Sequence, residues 1–147
     1  MAQAQKSIEV NVAREKFFDI ITNYAAYPEF LTAVGLRKVS VDRVEGNVKV
    51  VTQEVEVMGT RVSYTVRMVE ERPSKVSWTL VKGQMMSINS GSWVLEELGP
   101  AKTRATYSLE LKLGFLVPSA ITTRLAASSL PAMLDAFKQR AESLVAS

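Results

Sequence analysis

Hydrophobic and polar positions alternate with a period of two over most of residues 36–115, which is the pattern of strands with one buried face. Turn residues such as Gly46, Gly59, Pro73 and Gly99 interrupt the alternation. Six strands are therefore predicted, at residues 37–45, 48–58, 61–71, 75–81, 85–98 and 103–113. Residues 7–12 predict a further strand before them. Because the connections are too short for crossover helices, all seven strands are expected to be antiparallel.

A helical period appears on both sides of this strand region. Phe17, Ile21 and Tyr24 form one apolar stripe, which predicts a short helix at residues 14–24, and Pro28 suits the first turn of a second short helix. After Pro118 a long helix is predicted to about residue 145. Its apolar stripe consists of Leu130, Met133, Leu134, Phe137, Ala141 and Leu144. Pro131 is expected to kink or split this helix near residues 129–130.

These elements predict an α+β fold in one domain spanning residues 1–147, with a curved seven-stranded antiparallel sheet around a long C-terminal helix. The alternation changes parity within residues 48–58 and 85–98, which a bulge or a strong bend would explain, and bulges are how long sheets curve. A broad sheet covered by one helix has more apolar positions than that helix can contact. The resulting hypothesis is an internal hollow that binds a ligand; an ordinary filled core and dimerisation through the open face remain the alternatives.

Composition excludes several classes of chemistry. The 147 residues include no cysteine and no histidine, which excludes disulfides, thiolate or imidazole metal sites, and Ser-His or Cys-His nucleophiles. No metal or other cofactor is expected. The 18 basic and 15 acidic residues are dispersed along the chain, so DNA is not an expected partner. The N-terminal residues lack the apolar segment of a secretory signal, which predicts a cytoplasmic protein. Transient contact with the membrane surface is a second expectation.

The hollow would be apolar with a few hydrogen-bonding groups, which suits a ring attached to an apolar tail. Tyr64, Tyr107 and the two indole N–H groups would donate to carbonyl oxygens. The residues expected to bind the ligand are Tyr64, Val66, Met68, Trp78, Met86, Trp93, Tyr107, Leu109, Leu111, Phe115, Met133, Leu134 and Phe137. Residues 113–118 are an apolar run that is either a gate or a buried connection.

Four segments in order carry a family resemblance: residues 18–24 (FDIITNY), residues 27–31 (YPEFL), Gly91-Ser92-Trp93, and residues 130–142 (LPAMLDAFKQRAE). They resemble the coenzyme Q-binding branch of the START-like, helix-grip superfamily, which also includes bacterial polyketide cyclases and dehydrases. Thr32 departs from the pattern, because this branch usually has proline there. The resemblance covers nearly the whole chain and implies two short helices after the first strand.

The function that the resemblance implies is non-catalytic binding and transport of an isoprenoid quinone or another lipid. Two alternatives stay open: a cyclase or dehydrase acting on a polyketide-like substrate, and a ribosome-associated interaction protein. No catalytic residue is predicted, since the carboxylates show no pairing from their spacing and Arg67 and Glu110 lie on faces assigned to solvent. A tyrosine acting as an acid is the one route to catalysis that the residues leave open.

Overall fold

The computed structural model describes residues 2–57, 59–114 and 130–146. Its helices are α1 (Arg14–Ile21) and α2 (Leu130–Ala146), with two 3-10 helices at Tyr24–Glu29 and Thr32–Val34. Its strands are β1 (Ala2–Val10), β2 (Leu36–Glu45), β3 (Val48–Val57), β4 (Thr60–Glu71), β5 (Lys75–Gly83), β6 (Met86–Gly99) and β7 (Lys102–Leu113). The seven strands form one sheet in the order β1-β7-β6-β5-β4-β3-β2. Every neighbouring pair is antiparallel, as the sequence predicted.

The first strand lies earlier in the chain than the alternation indicated. It begins at Ala2 and ends at Val10, and it pairs with β7 from Ala2 opposite Leu111 to Val10 opposite Thr103. Its first residues alternate alanine with glutamine, so their apolar face consists only of small side chains, and pairing of the backbone with β7 holds this edge segment. Val12 follows the strand, and its carbonyl oxygen accepts a buried hydrogen bond of 2.8 Å from the Thr103 hydroxyl.

The connection between β1 and β2 packs its aromatic residues against the sheet. In α1 the side chains of Phe17, Phe18 and Ile21 are buried. The helix ends at Ile21, three residues before the predicted end, and the chain continues as a 3-10 helix in which Pro28 is an internal residue. The expectation that Pro28 starts a new helix is therefore wrong. The Tyr27 hydroxyl donates to the Ile21 carbonyl oxygen, which joins the two helical segments.

The C-terminal helix packs with Leu134, Phe137 and Ala141 at 0–2% exposure. Leu144 is 50% exposed, so the apolar stripe ends before the position predicted for it. Residues 115–129, which include Phe115, the gate segment beyond Gly114 and the predicted start of this helix, lie outside the described residues. Two polar contacts tie α2 to the first part of the chain: Arg140 pairs with Glu29 at 2.8 Å, and a Glu142 carboxylate oxygen accepts a hydrogen bond of 2.9 Å from the Asn11 backbone N–H.

Register shifts occur in one of the two ranges where the alternation changes parity. β3 pairs with β4 without a shift, so the bulge expected in residues 48–58 is wrong. The parity change in β3 arises because two polar residues, Lys49 and Gln53, share the inward face with Val51 and Val55. The range predicted in β6, residues 85–98, does contain shifts, near the two ends of the strand rather than in its middle. Further shifts occur within β2 and between Thr65 and Val66 where β4 meets β5.

The sheet divides at one end between β5 and β6. These strands pair from Lys75 opposite Val94 to Trp78 opposite Gly91. Beyond that point β5 continues to pair with β4 as far as Gly83, whereas β6 pairs with β7 from Met86. One half of the sheet contains β2 to β5, and the other contains β6, β7 and β1. In the described backbone they are joined by four residue pairs, by a hydrogen bond of 2.7 Å from the Leu95 N–H to the Ser74 carbonyl oxygen, and by the turn that follows Gly83.

Candidate ligand-binding site

Most of the sequence-predicted wall residues that the structure describes lie in or against one hydrophobic core, and Leu111 and Met86 are the exceptions. Those that are at least nine-tenths buried are Val66, Met68, Trp78, Trp93, Tyr107, Leu111, Leu134 and Phe137. Tyr64, Met86, Leu109 and Met133 are half-buried. Phe115 lies outside the described residues. Of the two residues assigned to solvent, Arg67 is exposed and Glu110 is half-buried. The half-buried members therefore mark the part of the wall that retains accessible surface.

One end of the wall is filled by ring-to-ring contacts. The Trp93 ring centroid lies 5.0 Å from that of Tyr107 and 5.3 Å from that of Phe137, both edge to face. Phe137 extends the cluster to Tyr27 at 5.3 Å and to Phe30 at 5.1 Å. Such pairs stabilise a core beyond the apolar area that they bury. This cluster joins α2, the 3-10 helix and the sheet into a solid region.

Trp78 stands where β5 and β6 separate. Its ring lies 5.3 Å from the Tyr107 ring, and its Nε1–H donates a hydrogen bond of 3.2 Å to Asn89 Oδ1. Gly91 provides the space for this indole, because a Cβ at that position would lie 2.7 Å from Trp78 Cζ2 and 2.1 Å from the Ser108 carbonyl oxygen. The close approach of Trp78 to β6 therefore requires a glycine opposite it.

Asn89 is an inward-facing polar residue that the sequence analysis missed. It is 8% exposed and stands on β6 at the position that pairs with Leu111. Its Nδ2 lies 3.9 Å from Met86 Sδ. Within the described residues this sulfur is the acceptor that the two N–H groups reach. The signal in the sequence was an amide at the same parity as Trp93 and Leu95. It was read as part of a change in parity.

Two tyrosine side chains face the interior, and they differ in whether their hydroxyl makes a hydrogen bond. Tyr64 donates through its hydroxyl to Gln53 Oε1 at 2.9 Å, and burial raises the pKa of Tyr64 to about 12. Burial also raises the pKa of Tyr107, and the nearby Tyr64 contributes in the same direction. Among the described residues, no group accepts a hydrogen bond from the Tyr107 hydroxyl. Both phenols are therefore neutral hydrogen-bond donors at physiological pH.

A charged group on the inner side of β4 is already engaged. Glu70 Oε2 accepts a hydrogen bond of 2.8 Å from the Tyr24 hydroxyl and lies 2.9 Å from Lys49 Nζ. The Glu70 and Lys49 side chains are 12% and 24% exposed. Burial raises the pKa of Tyr24, and Tyr27 and Glu70 add to the shift. Because each member has a partner, this triad supports the fold and offers no free charge to a ligand.

An open groove of about 450 Å³ crosses β1, β7 and β6. It is lined by Gln3, Ala4, Gln5, Ser90, Gly91, Ser108, Leu109 and Glu110. Leu109 is the one lining residue that was also predicted for the hollow. A hydrogen bond of 3.1 Å from Gln5 Nε2 to Ser108 Oγ spans the two strands on this side. The groove is mostly polar in its side chains and differs from the apolar site that the sequence predicted.

Within the described residues, no helix has both the length and the apolar character needed to cross a bilayer.

Lys102 and Arg104 are exposed and pair with Glu9 at 3.1 and 3.9 Å. The surface charges near them are therefore partly compensated, and they define no separate binding site.

Comparison with solved structures shows the same architecture across the whole chain. The Zhui aromatase/cyclase from Streptomyces sp. R1128 superposes with a TM-score of 0.87 at 14% identity, covering 98% of this chain and 95% of that one. A START superfamily protein from Mycobacterium smegmatis gives 0.84 at 18% identity, with 97% and 98% covered. The major latex-like protein 151 from Panax ginseng gives 0.70 at 12% identity, with 97% and 96% covered.

These likenesses show the fold alone, because all three identities are low. No curated protein matched the sequence. The family comparison reaches further, since residues 10–138 match the family described as polyketide cyclase / dehydrase and lipid transport. The seven-stranded sheet, the short helices after β1 and the C-terminal helix agree with that match. The chain therefore belongs to the polyketide cyclase / dehydrase and lipid transport family and has the START-like helix-grip fold.

Proposed function

We propose that this protein binds a neutral hydrophobic small molecule against the inner face of its sheet and carries or presents it without chemical change. The observation that carries the proposal is a wall of apolar and aromatic side chains whose members at the divided end of the sheet keep accessible surface. Tyr64, Leu109 and Met133 are half-buried although they pack against the core, and Met86 at the start of β6 is half-buried as well. An apolar tail that covers these side chains would complete their burial.

Burial of the tail would supply most of the binding free energy. Each buried methylene contributes about 0.8 kcal/mol, so a six-carbon tail contributes roughly 5 kcal/mol before the cost of ordering. The ligand in this proposal is an isoprenoid quinone or another lipid, collected and delivered by transient contact with a membrane. The engaged state of Glu70 and Lys49 supports a neutral ligand, since neither charge is left for a counter-ion.

The first test is to purify the protein from its own host and identify what accompanies it. Native mass spectrometry and organic extraction are expected to show a quinone or lipid at about one molecule per chain. Titration calorimetry with 2-hexyl-1,4-benzoquinone is expected to show saturable binding by the stripped protein. A protein that carries no lipid and does not bind this quinone would contradict the proposal.

A matched pair of variants places the binding on the inner face. Leu109→Trp adds a large side chain beside the half-buried wall and is expected to weaken quinone binding at least tenfold. Val94→Trp adds the same side chain at a position that is 44% exposed, and its binding is expected to stay within twofold of the unmodified protein. Circular dichroism confirms that both variants are folded before binding is compared. Equal losses in the two variants would argue against an inner-face site.

The second candidate function is a cyclase or dehydrase, which the family match favours equally. The observation that supports it is Tyr107, a buried side chain whose neutral hydroxyl has no hydrogen-bond partner among the described residues. Such a group is able to protonate or orient a substrate carbonyl oxygen. This function predicts turnover of a poly-β-ketone that is lost in Tyr107→Phe. Unchanged substrate after incubation with the unmodified protein would favour the carrier.

A further inference from the structure

The buried polar side chains of the described residues differ in how well they are satisfied. Thr103 donates to the Val12 carbonyl oxygen at 2.8 Å, and Thr65 shares a hydrogen bond of 2.8 Å with Thr52. Both hydroxyls therefore have an oxygen partner. Asn89 is also nine-tenths buried but has no oxygen partner for its amide nitrogen within the described residues. Burial of an amide is costly unless its hydrogen bonds are made, so this exception requires an explanation.

The orientation of the Asn89 amide is fixed by chemistry. An indole N–H donates and never accepts, so the Asn89 atom at 3.2 Å from Trp78 Nε1 must be the carbonyl oxygen Oδ1. The nitrogen Nδ2 therefore points away from the indole. It carries two N–H groups, and the acceptor they reach among the described residues is Met86 Sδ at 3.9 Å. A thioether sulfur is a weak acceptor, so the site holds at least one strong donor that lacks an oxygen partner in the described structure.

The surroundings of this donor define what complements it. Trp78 connects it to Tyr107, whose ring lies 5.3 Å from the indole and whose hydroxyl also lacks a described acceptor. Both groups are neutral donors. Lys49 on the same face of the sheet is paired with Glu70, and Lys6, which lies opposite Tyr107 on the edge strand β1, is exposed to solvent. A neutral oxygen with lone pairs is the complementary group.

We infer that Asn89 Nδ2–H donates a hydrogen bond to a carbonyl oxygen of the bound ligand. This inference rests on the proposed function and narrows the ligand to an apolar molecule with a neutral carbonyl group, such as a quinone, a ketone or an ester. Met86 Sδ, at 3.9 Å from Asn89 Nδ2, lies where that oxygen would accept the hydrogen bond. Its unbranched side chain has several accessible rotamers, so it is able to yield the position.

The test compares two ligands that share a six-membered ring and a tail but differ in the carbonyl groups: 2-hexyl-1,4-benzoquinone and hexylbenzene. In Asn89→Leu the quinone is expected to bind about tenfold more weakly, the loss typical of one hydrogen bond to a buried donor. Hexylbenzene, measured by displacement of the quinone in calorimetry, is expected to change less than twofold. The control Thr103→Val also removes a buried hydrogen bond, and it should alter neither affinity beyond twofold.

An equal loss for both ligands, or no loss for the quinone, would overturn the assignment of Asn89. A measurement on the unmodified protein tests whether Asn89 donates to the ligand carbonyl even if Asn89→Leu does not fold. The Asn89 side-chain amide resonances, assigned through their proximity to the Trp78 indole N–H, should shift downfield with the quinone and stay in place with hexylbenzene. If neither ligand binds the unmodified protein, the proposed function fails. If both bind and these resonances do not distinguish them, the inference alone fails.

Discussion

Single side chains decide which part of the inner wall is rigid and which part is able to accept a ligand. Phe137, Trp93 and Tyr27 are locked by edge-to-face contacts, whereas Tyr107 has a packed ring and a free hydroxyl. Tyr64 and Tyr107 offer a natural comparison, because the same phenol is satisfied by Gln53 in one case and has no described partner in the other.

Removal of the two hydroxyls should therefore have different consequences for stability. Tyr64→Phe breaks a made hydrogen bond and leaves Gln53 without its donor, so the free energy of unfolding should fall by about 1 kcal/mol. Tyr107→Phe removes a hydroxyl that makes no described bond and should change it by less than about 0.5 kcal/mol. Urea unfolding of both variants checks the contrast. A larger loss in Tyr107→Phe would reveal an acceptor for that hydroxyl.

Gly91 is a second residue whose role is specific to its site. Gly91→Ala places a Cβ against the Ser108 carbonyl oxygen and the Trp78 ring, so either strand or indole must shift. The expected cost in unfolding free energy is about 1–3 kcal/mol, the range for overpacking. Gly99→Ala is the matched control, because a Cβ there meets no atom within 4 Å. Thermal unfolding of both variants measures the difference, and equal melting temperatures would show that the indole moves aside freely.

Among the elements, the 3-10 helix at Tyr24–Glu29 is held to the sheet mainly by packing and by one charged contact. Tyr24 reaches Glu70 on β4, which in turn pairs with Lys49 on β3. Lys49 Nζ also lies 5.6 Å from the centre of the Tyr24 ring. The helical segment and two strands are thus linked through a single carboxylate.

A double-mutant cycle measures what this link contributes. Tyr24→Phe, Glu70→Ala and the double variant should give a coupling free energy of about 1–2 kcal/mol, because a hydrogen bond to a partly buried carboxylate is stronger than one between neutral groups. The control cycle uses Arg43 and Glu45, an ion pair whose side chains are 67% and 59% exposed. Exposed pairs contribute little, so its coupling should stay below about 0.5 kcal/mol. Similar couplings in the two cycles would contradict the special position of Glu70.

Elements with regular alternation were predictable from the sequence, and the site was predictable only in its apolar part. The predicted limits of β2, β4 and β7 differ from the observed ones by one residue. In these strands the alternation marks one face clearly, as it does in β4 with Val62, Tyr64, Val66 and Met68. Asn89, Gln53, Lys49 and Glu70 were missed. A polar residue on an inward face looks like a change of parity until the register is known. Lys49, Gln53 and Asn89 were therefore hidden within the parity changes of residues 48–58 and 85–98.

At the scale of the whole molecule, the sheet is firm along most of its width and weakly joined at one place. Four residue pairs connect β5 to β6, whereas β6 and β7 pair along nearly their full length. The Trp78–Asn89 hydrogen bond lies at the end of the paired stretch. Movement of the two halves of the sheet at this end would change access to the half-buried wall residues.

Cross-linking tests this idea cleanly, because the chain contains no cysteine of its own. A link between Thr79→Cys and Ser90→Cys closes the unpaired stretch, by a disulfide or, if the gap is wider, by a short bismaleimide. Release of 2-hexyl-1,4-benzoquinone into lipid vesicles should then slow at least fivefold. The matched control links Ser77→Cys to Ser92→Cys, which already stand opposite each other, and should leave the rate unchanged. Equal rates in both linked proteins would place the route of exit elsewhere.

The chain's two tryptophans both lie in the inner wall, at 8% and 3% exposure. No indole on the surface adds background, so the emission of the unlabelled protein comes entirely from this region. A quinone that reaches the wall would quench both indoles by electron transfer, and Trp93→Phe would leave Trp78 as a single reporter next to Asn89. The protein thus carries a built-in optical probe with which a library of colourless or coloured lipids can be screened directly, without any dye or tag.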